Sequence, residues 1–309
     1  MVGRRRTLIE VRDLSKKYGD KIAVDHLSFS VEPSKVTGFL GPNGAGKSTT
    51  MRLILGLDRP NSGTATIDGK PYTKLHDPLR HVGALLEARA VHTGRSAYNH
   101  LLYLAQTQGV PRRRVDQVLE LVGLTEVARK RAGGFSLGMG QRLGIAAALL
   151  GDPKVLILDE PVNGLDPEGI LWIRNLLKAL AAEGRTIFVS SHLMSEMALT
   201  AEHLIVIGRG RLIADTSVRE FVERSSKRSV LVRTPDAGKL TAGLAEEGAE
   251  ISKAEDGALI VLGLEAPRIG ELAAAAQIVL HELTPQRASL EEAFMELTSD
   301  SVEFHGGVQ

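Results

Sequence analysis

The stretch FLGPNGAGKSTT, from Phe39 to Thr50, decides the fold of this chain. Within it, Gly41 to Ser48 matches the pattern G-x-x-x-x-G-K-[ST] at every fixed position. Glycines let the backbone curl so that several N–H groups point at one anion, and a following helix directs its N-terminus at the same place. Because an apolar run precedes the loop and a helical pattern follows it, the stretch predicts a phosphate-binding loop between a buried strand and a helix.

The residues of this loop indicate that the bound phosphates belong to a nucleoside triphosphate. We expect Lys47 to reach the β- and γ-phosphates and to be catalytic, and the hydroxyl of Ser48 to bind Mg²⁺. The predicted nucleotide-binding positions of the loop are Gly41, Pro42, Asn43, Gly44, Ala45, Gly46, Lys47, Ser48 and Thr49.

A pair of acids follows a second apolar run, VLILDEP, from Val155 to Pro161. Buried strands seldom end in two acids unless charge is needed there. Asp159 is predicted to hold Mg²⁺, partly through water, and Glu160 to orient and deprotonate the attacking water. Solvated acids in an ordinary strand-end turn are the alternative.

Short apolar runs alternate with helical patterns, which predicts an α/β fold with a parallel sheet. Between two such runs, Asp166 suits the N-cap of a helix, Pro167 its first position and Gly184 its end. The predicted elements are strands at 36–40, 155–158 and 186–189, and helices at 49–57 and from 167.

Two further regions differ from this core. Residues 84–150 have mostly helical patterns and are predicted to form an inserted helical subdomain. After about residue 222, the order β-α-β-β-α-β predicts a ferredoxin-like domain whose last strand lies in QIVLHEL, residues 277–283. Ser289 and Glu292 have capping-box spacing at a final helix, and a polar linker is expected near residues 223–229.

Composition limits the classes of function. The chain has 309 residues, a net charge of +1 and no cysteine, so it shows neither a disulfide framework, nor a thiolate metal site, nor the basic excess of a nucleic-acid binder. The sequence shows no signal peptide and no uninterrupted apolar stretch long enough to span a membrane. We therefore expect any membrane role to act through a partner.

The stretch FSLGMGQRLGIAAALL, Phe135 to Leu150, resembles the LSGGQ signature segment of ABC ATPases. Ser136 and Gly138 keep the signature serine and second glycine, whereas Leu137 and Met139 replace its first glycine and its glutamine. A small hydroxyl and a glycine at the start of a helix provide a second anion-binding site. The resemblance implies that Ser136 and Gly138 contact the nucleotide bound by another subunit.

Other positions match the same family in order and spacing. Tyr18 resembles the aromatic residue that stacks on adenine, Asp166 lies in the match to the D-loop, and His192 resembles the switch histidine near the γ-phosphate. These matches imply nucleotide contacts for Tyr18 and Asp166 and a catalytic role for His192. A strand-end tyrosine, a helix cap and a structural histidine are the plainer alternatives.

One position departs from the family pattern: Glu87 stands where ABC ATPases usually have a glutamine. A carboxylate can bind Mg²⁺ or its water but cannot donate a hydrogen bond. This glutamate, the S-L-G-M signature and the tail ELTPQRASLEEAFMELT resemble the subgroup that serves bacitracin- and anthracycline-type drug exporters. The ABC resemblance covers about residues 7–220, and the subgroup resemblance reaches about residue 298.

The resemblance implies a P-loop NTPase (ABC ATPase) core with the helical subdomain inserted, a nucleotide-binding domain over residues 1–222, and a small accessory α+β domain over 223–309. It also implies an ATPase that uses ATP and Mg²⁺ and dimerises around ATP, with itself or with a second ABC ATPase subunit. The expected partner is a separate transmembrane permease, not nucleic acid, and the expected location is the cytoplasmic face of the cell membrane.

Two alternatives to an exporter motor stay open at this point. One is a soluble ABC ATPase that acts on nucleic acid or ribosomes; the other is a nucleotide-binding regulator without useful hydrolysis, suggested by Glu87 and the altered signature. The sequence does not identify the cargo, and drug, antibiotic, lipid, peptide and polysaccharide all fit.

Overall fold

The computed structural model describes residues 9–87, 91–224, 229–254, 256–286 and 290–298. The chain divides into two compact units, the first ending at Val218 and the second beginning at Arg219. The strands of the first unit are β1 (Ile9–Tyr18), β2 (Lys21–Val31), β3 (Val36–Leu40), β4 (Ser62–Ile67), β5 (Val82–Leu85), β6 (Val155–Leu158), β7 (Thr186–Ser191), β8 (His203–Gly208) and β9 (Arg211–Ser217). Its helices are α1 (Lys47–Ile54), α2 (Pro78–His81), α3 (Ala97–Thr107), α4 (Arg113–Leu121), α5 (Leu137–Leu149), α6 (Pro167–Ala182) and α7 (Met194–Thr200), and α8 (Val218–Arg224) follows.

The first unit is built around a six-stranded sheet with the order β5-β6-β7-β3-β8-β9. Strands β5, β6, β7, β3 and β8 are parallel, and only β9 runs antiparallel to its neighbour. Strands β3, β6 and β7 are buried along their whole length, as expected for strands covered on both faces. Their carboxyl ends share one edge of the sheet, which is where β3 leads into the glycine loop and β6 into Asp159.

A second, antiparallel sheet with the order β2-β1-β4 belongs to the same unit. The core between the sheets contains three aromatic rings: the centroid of Phe39 lies 5.6 Å from that of Phe29 and 4.9 Å from that of Phe188. All three rings are buried, and such tilted pairs add to the stability gained from burial alone. Phe39 therefore fixes the end of β3 directly before the phosphate loop.

The α/β core and the inserted helices agree with the sequence analysis, with small corrections. Helix α1 begins at Lys47 and ends at Ile54, because Gly56 takes a left-handed φ of +64° that ends the helix. Ala84 and Leu85 belong to β5 and pair with Ile157 and Leu158, so the helical part starts later than residue 84. Asp166 caps α6 as predicted, and Gly184 follows its last turn with φ +96°.

The second unit contains β10 (Ser229–Arg233), α9 (Ala237–Glu246), β11 (Glu250–Lys253), β12 (Leu259–Leu262), α10 (Ala266–Ala275), β13 (Glu282–Gln286) and α11 (Leu290–Thr298). Its four strands form an antiparallel sheet with the order β11-β12-β10-β13. This order and the β-α-β-β-α-β connectivity confirm the ferredoxin-like part of the predicted fold.

The prediction of a strand in QIVLHEL was mostly wrong. The strand β13 begins at Glu282, where Leu283 pairs with Val232. The preceding residues connect α10 to the sheet: Gln277 has a left-handed φ of +54°, and Ile278 is buried in the core of the unit. Ile278 thus fills space between the layers and contributes no ladder pair.

Ser289 of the predicted capping box and residues 225–228 of the predicted linker lie outside the described residues. In the described part of the chain, no helix combines the length and the apolarity required to cross a bilayer.

Candidate nucleotide-binding site

The phosphate loop closes tightly on the neighbouring backbone, and its glycines make this possible. Gly46 has φ +104°, and a Cβ there would lie 2.3 Å from the carbonyl oxygen of Ala23. A Cβ on Gly41 would lie 2.5 Å from the carbonyl oxygen of Ile207. Both distances are shorter than any real contact, so the loop requires glycine for a steric reason at each position.

Lys47 begins α1, and its side chain is buried beside the loop. Its Nζ donates hydrogen bonds to the carbonyl oxygens of Gly41 at 2.6 Å and Pro42 at 3.3 Å. Burial lowers the pKa of Lys47, and the nearby charges of Glu160 and Asp159 act in the opposite direction. A cation held beside a ring of backbone groups is well placed to bind phosphate.

An open cleft runs from the loop to the end of β1. It is lined by Tyr18, Lys21, Ala23, residues 43–49, Asp159 and Glu160. The ring of Tyr18 is half exposed, at 47%. Its hydroxyl donates to Oδ2 of Asp58 at 2.7 Å, and the guanidinium of Arg52 donates to both oxygens of the same carboxylate. These bonds lower the pKa of Asp58 to about 2, so the carboxylate that holds Tyr18 is ionised at neutral pH.

Asp159 and Glu160 follow β6 and are held by residues at the end of β7. Ser190 Oγ donates to Asp159 Oδ1 at 2.5 Å and accepts a hydrogen bond from the backbone N–H of Glu160 at 2.9 Å. The Nδ1 of His192 lies 2.8 Å from Oε2 of Glu160, and the His192 backbone N–H donates to the same oxygen at 3.3 Å. From α5, Gln141 Nε2 donates to the carbonyl oxygen of Glu160 at 3.1 Å.

Glu87 is exposed and borders a different cleft. Ser48 and Asp159 line this cleft as well as the phosphate-loop cleft. Glu87 therefore borders a cleft that shares with the phosphate-loop cleft the two residues predicted to bind Mg²⁺.

The signature segment contacts the segment that contains Asp166. Ser136 caps α5, with its Oγ accepting from the Met139 N–H at 3.2 Å. A Cβ on Gly138 would lie 2.9 Å from the carbonyl oxygen of Gly164. Asp166 Oδ1 accepts from the Gly169 N–H at 2.8 Å. In the described part of the chain, Ser136, Gly138 and Asp166 are not among the residues that line the phosphate-loop cleft.

The residues of the cleft fit Mg·ATP. The narrow glycine cradle and the buried ammonium of Lys47 match a phosphate chain, and Tyr18 offers an aromatic face at the other end. The hydroxyl of Ser48 and the carboxylate of Asp159 are hard oxygen donors, which Mg²⁺ prefers.

Three residues of this neighbourhood are missing from the sequence prediction: Ser190, Gln141 and Asp58. For Ser190 the sequence gives a weak signal, a polar residue at the end of an apolar run, but this signal does not identify the partners of Ser190. Asp58 gives no such signal, because only the fold brings it to Tyr18, 40 residues away along the chain.

Comparisons with known proteins agree with this geometry. The model of the family described as ABC transporter matches residues 24–163, and that of a domain of unknown function matches residues 228–291. The ABC transporter ATP-binding protein YhcH of Bacillus subtilis, itself uncharacterized, is 38% identical over 96% of this chain and 98% of its own length. The bacitracin transport ATP-binding protein BcrA of Bacillus licheniformis is 44% identical over 72% of this chain and 73% of its own length.

Among solved structures, one described as the ATP-binding subunit of an ABC transporter has a TM-score of 0.65 at 27% identity, covering 71% of this chain and 93% of that one. The fold, the phosphate-loop cleft and these similarities lead to one conclusion. This chain belongs to the ABC transporter family, as one of its ATP-hydrolysing ATP-binding proteins.

Proposed function

We propose that this chain is the motor subunit of an exporter: it dimerises around ATP and powers movement of a drug, antibiotic or lipid-like substrate through a separate membrane permease. Residues 1–222 form the nucleotide-binding domain under this proposal, and residues 223–309 form the accessory domain. The chain acts at the cytoplasmic face of the cell membrane, attached through the permease.

The proposed roles follow the positions of the side chains. Tyr18 stacks on the adenine, while residues 41–49 surround the phosphates and Lys47 binds the β- and γ-phosphates. Ser48 and Asp159 hold Mg²⁺, which neutralises phosphate charge when bound, and Glu87 supports the ion or its water from the second cleft. Glu160 orients and deprotonates the attacking water, and His192 holds the carboxylate of Glu160 at 2.8 Å.

One observation supports a dimer in particular. The chain has a single phosphate loop and a single signature segment, and Ser136 and Gly138 are absent from the described lining of the phosphate-loop cleft. Each nucleotide can therefore meet a signature segment only if a second subunit supplies it. A second copy of this chain is the simplest such subunit, and Asp166 then lies beside the dimer interface.

The work of transport comes from differential binding. If the closed dimer binds ATP more tightly than ADP, then hydrolysis and release of phosphate shift the equilibrium towards the open form. The helical subdomain passes this change to the permease. The name of the similar bacitracin transport protein favours an antibiotic as cargo.

The test is efflux by the chain together with any membrane protein that co-purifies with it from native membranes. Expressed in a bacitracin-sensitive bacterium, the pair should co-purify and lower bacitracin accumulation. The same pair carrying Glu160→Gln should still co-purify, but bacitracin should accumulate as it does in a vector control. Absence of both co-purification and any ATP-dependent efflux would refute the exporter role. Tight, salt-sensitive RNA binding by the pure chain would favour the nucleic-acid alternative instead.

A further inference from the structure

The ends of β6 and β7 place a buried serine beside the proposed metal-binding acid Asp159 and the proposed catalytic acid Glu160. The strands are parallel, and Leu158 pairs with Val189. Asp159 and Ser190, the next residue after each of these, therefore lie side by side. Ser190 is fully buried, with 0% of its surface exposed. A buried hydroxyl requires hydrogen-bond partners, and both of its partners belong to the acid pair.

The direction of each hydrogen bond follows from the groups involved. An ionised carboxylate only accepts and a backbone N–H only donates, so the single proton of Ser190 goes to Asp159 and a lone pair accepts from Glu160. One hydroxyl thus fixes the carboxylate of one acid and the backbone of the other.

The backbone at Glu160 needs this support. Glu160 has φ +50°, a left-handed conformation that non-glycine residues seldom adopt. The N–H on one side of its Cα is held by Ser190, and the carbonyl on the other side is held by Gln141. Strained backbone of this kind persists only where the surrounding structure fixes it.

We propose that Ser190 is a positioning residue for ATP hydrolysis: its hydroxyl holds Asp159 in the orientation that binds the divalent cation and holds Glu160 in the orientation that reaches the attacking water. The inference rests on the proposed roles of these two acids. Ser190 itself contacts neither nucleotide nor water in this mechanism, and it acts through its two neighbours.

Removal of the hydroxyl leaves the Asp159 carboxylate free to rotate and the Glu160 N–H without a partner. A hydrogen bond to a charged group contributes enough that its loss changes an equilibrium by about tenfold to a hundredfold. Ser190→Ala should therefore weaken cation binding by about tenfold or more, and lower kcat by at least as much, because both acids are displaced. The affinity for metal-free ADP should not change.

The chain offers a matched control next to this residue. Ser191 is also buried, with 1% exposed, and its Oγ accepts a hydrogen bond from the Leu193 N–H at 3.0 Å. Ser191→Ala therefore removes one buried hydroxyl from the same strand while the bonds to Asp159 and Glu160 stay. Ser190→Thr keeps the hydroxyl, and Ser190→Cys replaces it with a weak donor of similar size.

The decisive experiment is titration of Mn²⁺ into the ADP-saturated full chain, followed by electron paramagnetic resonance, with kcat and KM for ATP measured in parallel. Ser190→Ala should bind Mn²⁺ about tenfold or more weakly, Ser190→Cys should be weakened in the same direction, and Ser190→Thr and Ser191→Ala should stay within about threefold of wild type. Thermal unfolding without nucleotide shows which variants are folded. If Ser190→Ala is not folded, the Mn²⁺ affinity of Ser190→Cys decides between the two outcomes.

Wild-type Mn²⁺ affinity in folded Ser190→Ala or Ser190→Cys would overturn the proposal, as would a loss of affinity equally large in Ser191→Ala. A loss of turnover with unchanged Mn²⁺ affinity would also overturn it, because the proposal requires that Asp159 is displaced together with Glu160. Failure of the exporter role is distinguishable, because the wild-type chain would then bind Mn²⁺ with ADP and hydrolyse ATP but support no efflux. Failure of the roles proposed for the two acids is also distinguishable, because the wild-type chain itself would then neither bind Mn²⁺ with ADP nor hydrolyse ATP.

Discussion

Replacement of Gly46 by alanine tests whether the phosphate loop depends on the close approach of two backbones. Alanine at φ +104° is strained, at a cost of about 1–3 kcal/mol in the free energy of unfolding. The added Cβ would also lie 2.3 Å from the carbonyl oxygen of Ala23, and relief of such overpacking costs about 1–3 kcal/mol more. We expect a total loss of about 2–6 kcal/mol, or a displaced loop that no longer binds phosphate.

Gly69 provides the matched control, because it has a similar backbone strain without the clash. Its φ is +77°, and a Cβ there would meet nothing within 4 Å. Gly69→Ala should therefore cost only the strain of about 1–3 kcal/mol and leave ATP affinity unchanged.

Urea unfolding gives the free energy for both variants, and fluorescence titration with a labelled ATP analogue gives their affinity. The reasoning is refuted if Gly46→Ala and Gly69→Ala are equally stable and both bind ATP as wild type does.

Two further changes address the ends of the proposed nucleotide site. Asp58→Ala should weaken ATP binding by about three- to tenfold, because Tyr18 loses the carboxylate that orients its half-exposed ring, and should leave kcat at saturating ATP unchanged. Nucleotide titration measures the affinity, and an unchanged affinity would contradict this prediction. Asp166→Ala should lower the free energy of unfolding by about 1 kcal/mol, because the Gly169 N–H loses its cap. Glu168→Ala in the same helical turn should lower the free energy of unfolding by less. Urea unfolding compares the two variants, and equal values would rule out the cap as the cause.

The sequence predicted the parts of the site that depend on local pattern. The glycine loop, the acids after the strand at 155–158 and the cap at Asp166 each follow from residues close together in the chain. Each of these features has a local sequence pattern, so no knowledge of the tertiary fold was needed to predict it.

The parts that the sequence did not predict depend on neighbours distant in the chain. The bond from Ser190 to Asp159 joins residues 31 positions apart, and its importance appears only when β6 and β7 lie side by side. The strand at 282–286 was misplaced because Ile278 has the apolar character of a strand residue but packs in the core of the unit. Periodicity alone does not separate these two uses of an apolar residue.

The central claim is that ATP joins two copies of this chain and that hydrolysis separates them. The most direct measurement is the molar mass in solution of full-length Glu160→Gln, by light scattering coupled to size exclusion, with saturating Mg·ATP and with Mg·ADP. The account predicts a dimer with ATP that becomes monomeric with ADP, and loss of the ATP dimer when Ser136 is also replaced by a bulky acid. A strictly monomeric Glu160→Gln chain that has bound Mg·ATP would contradict the account.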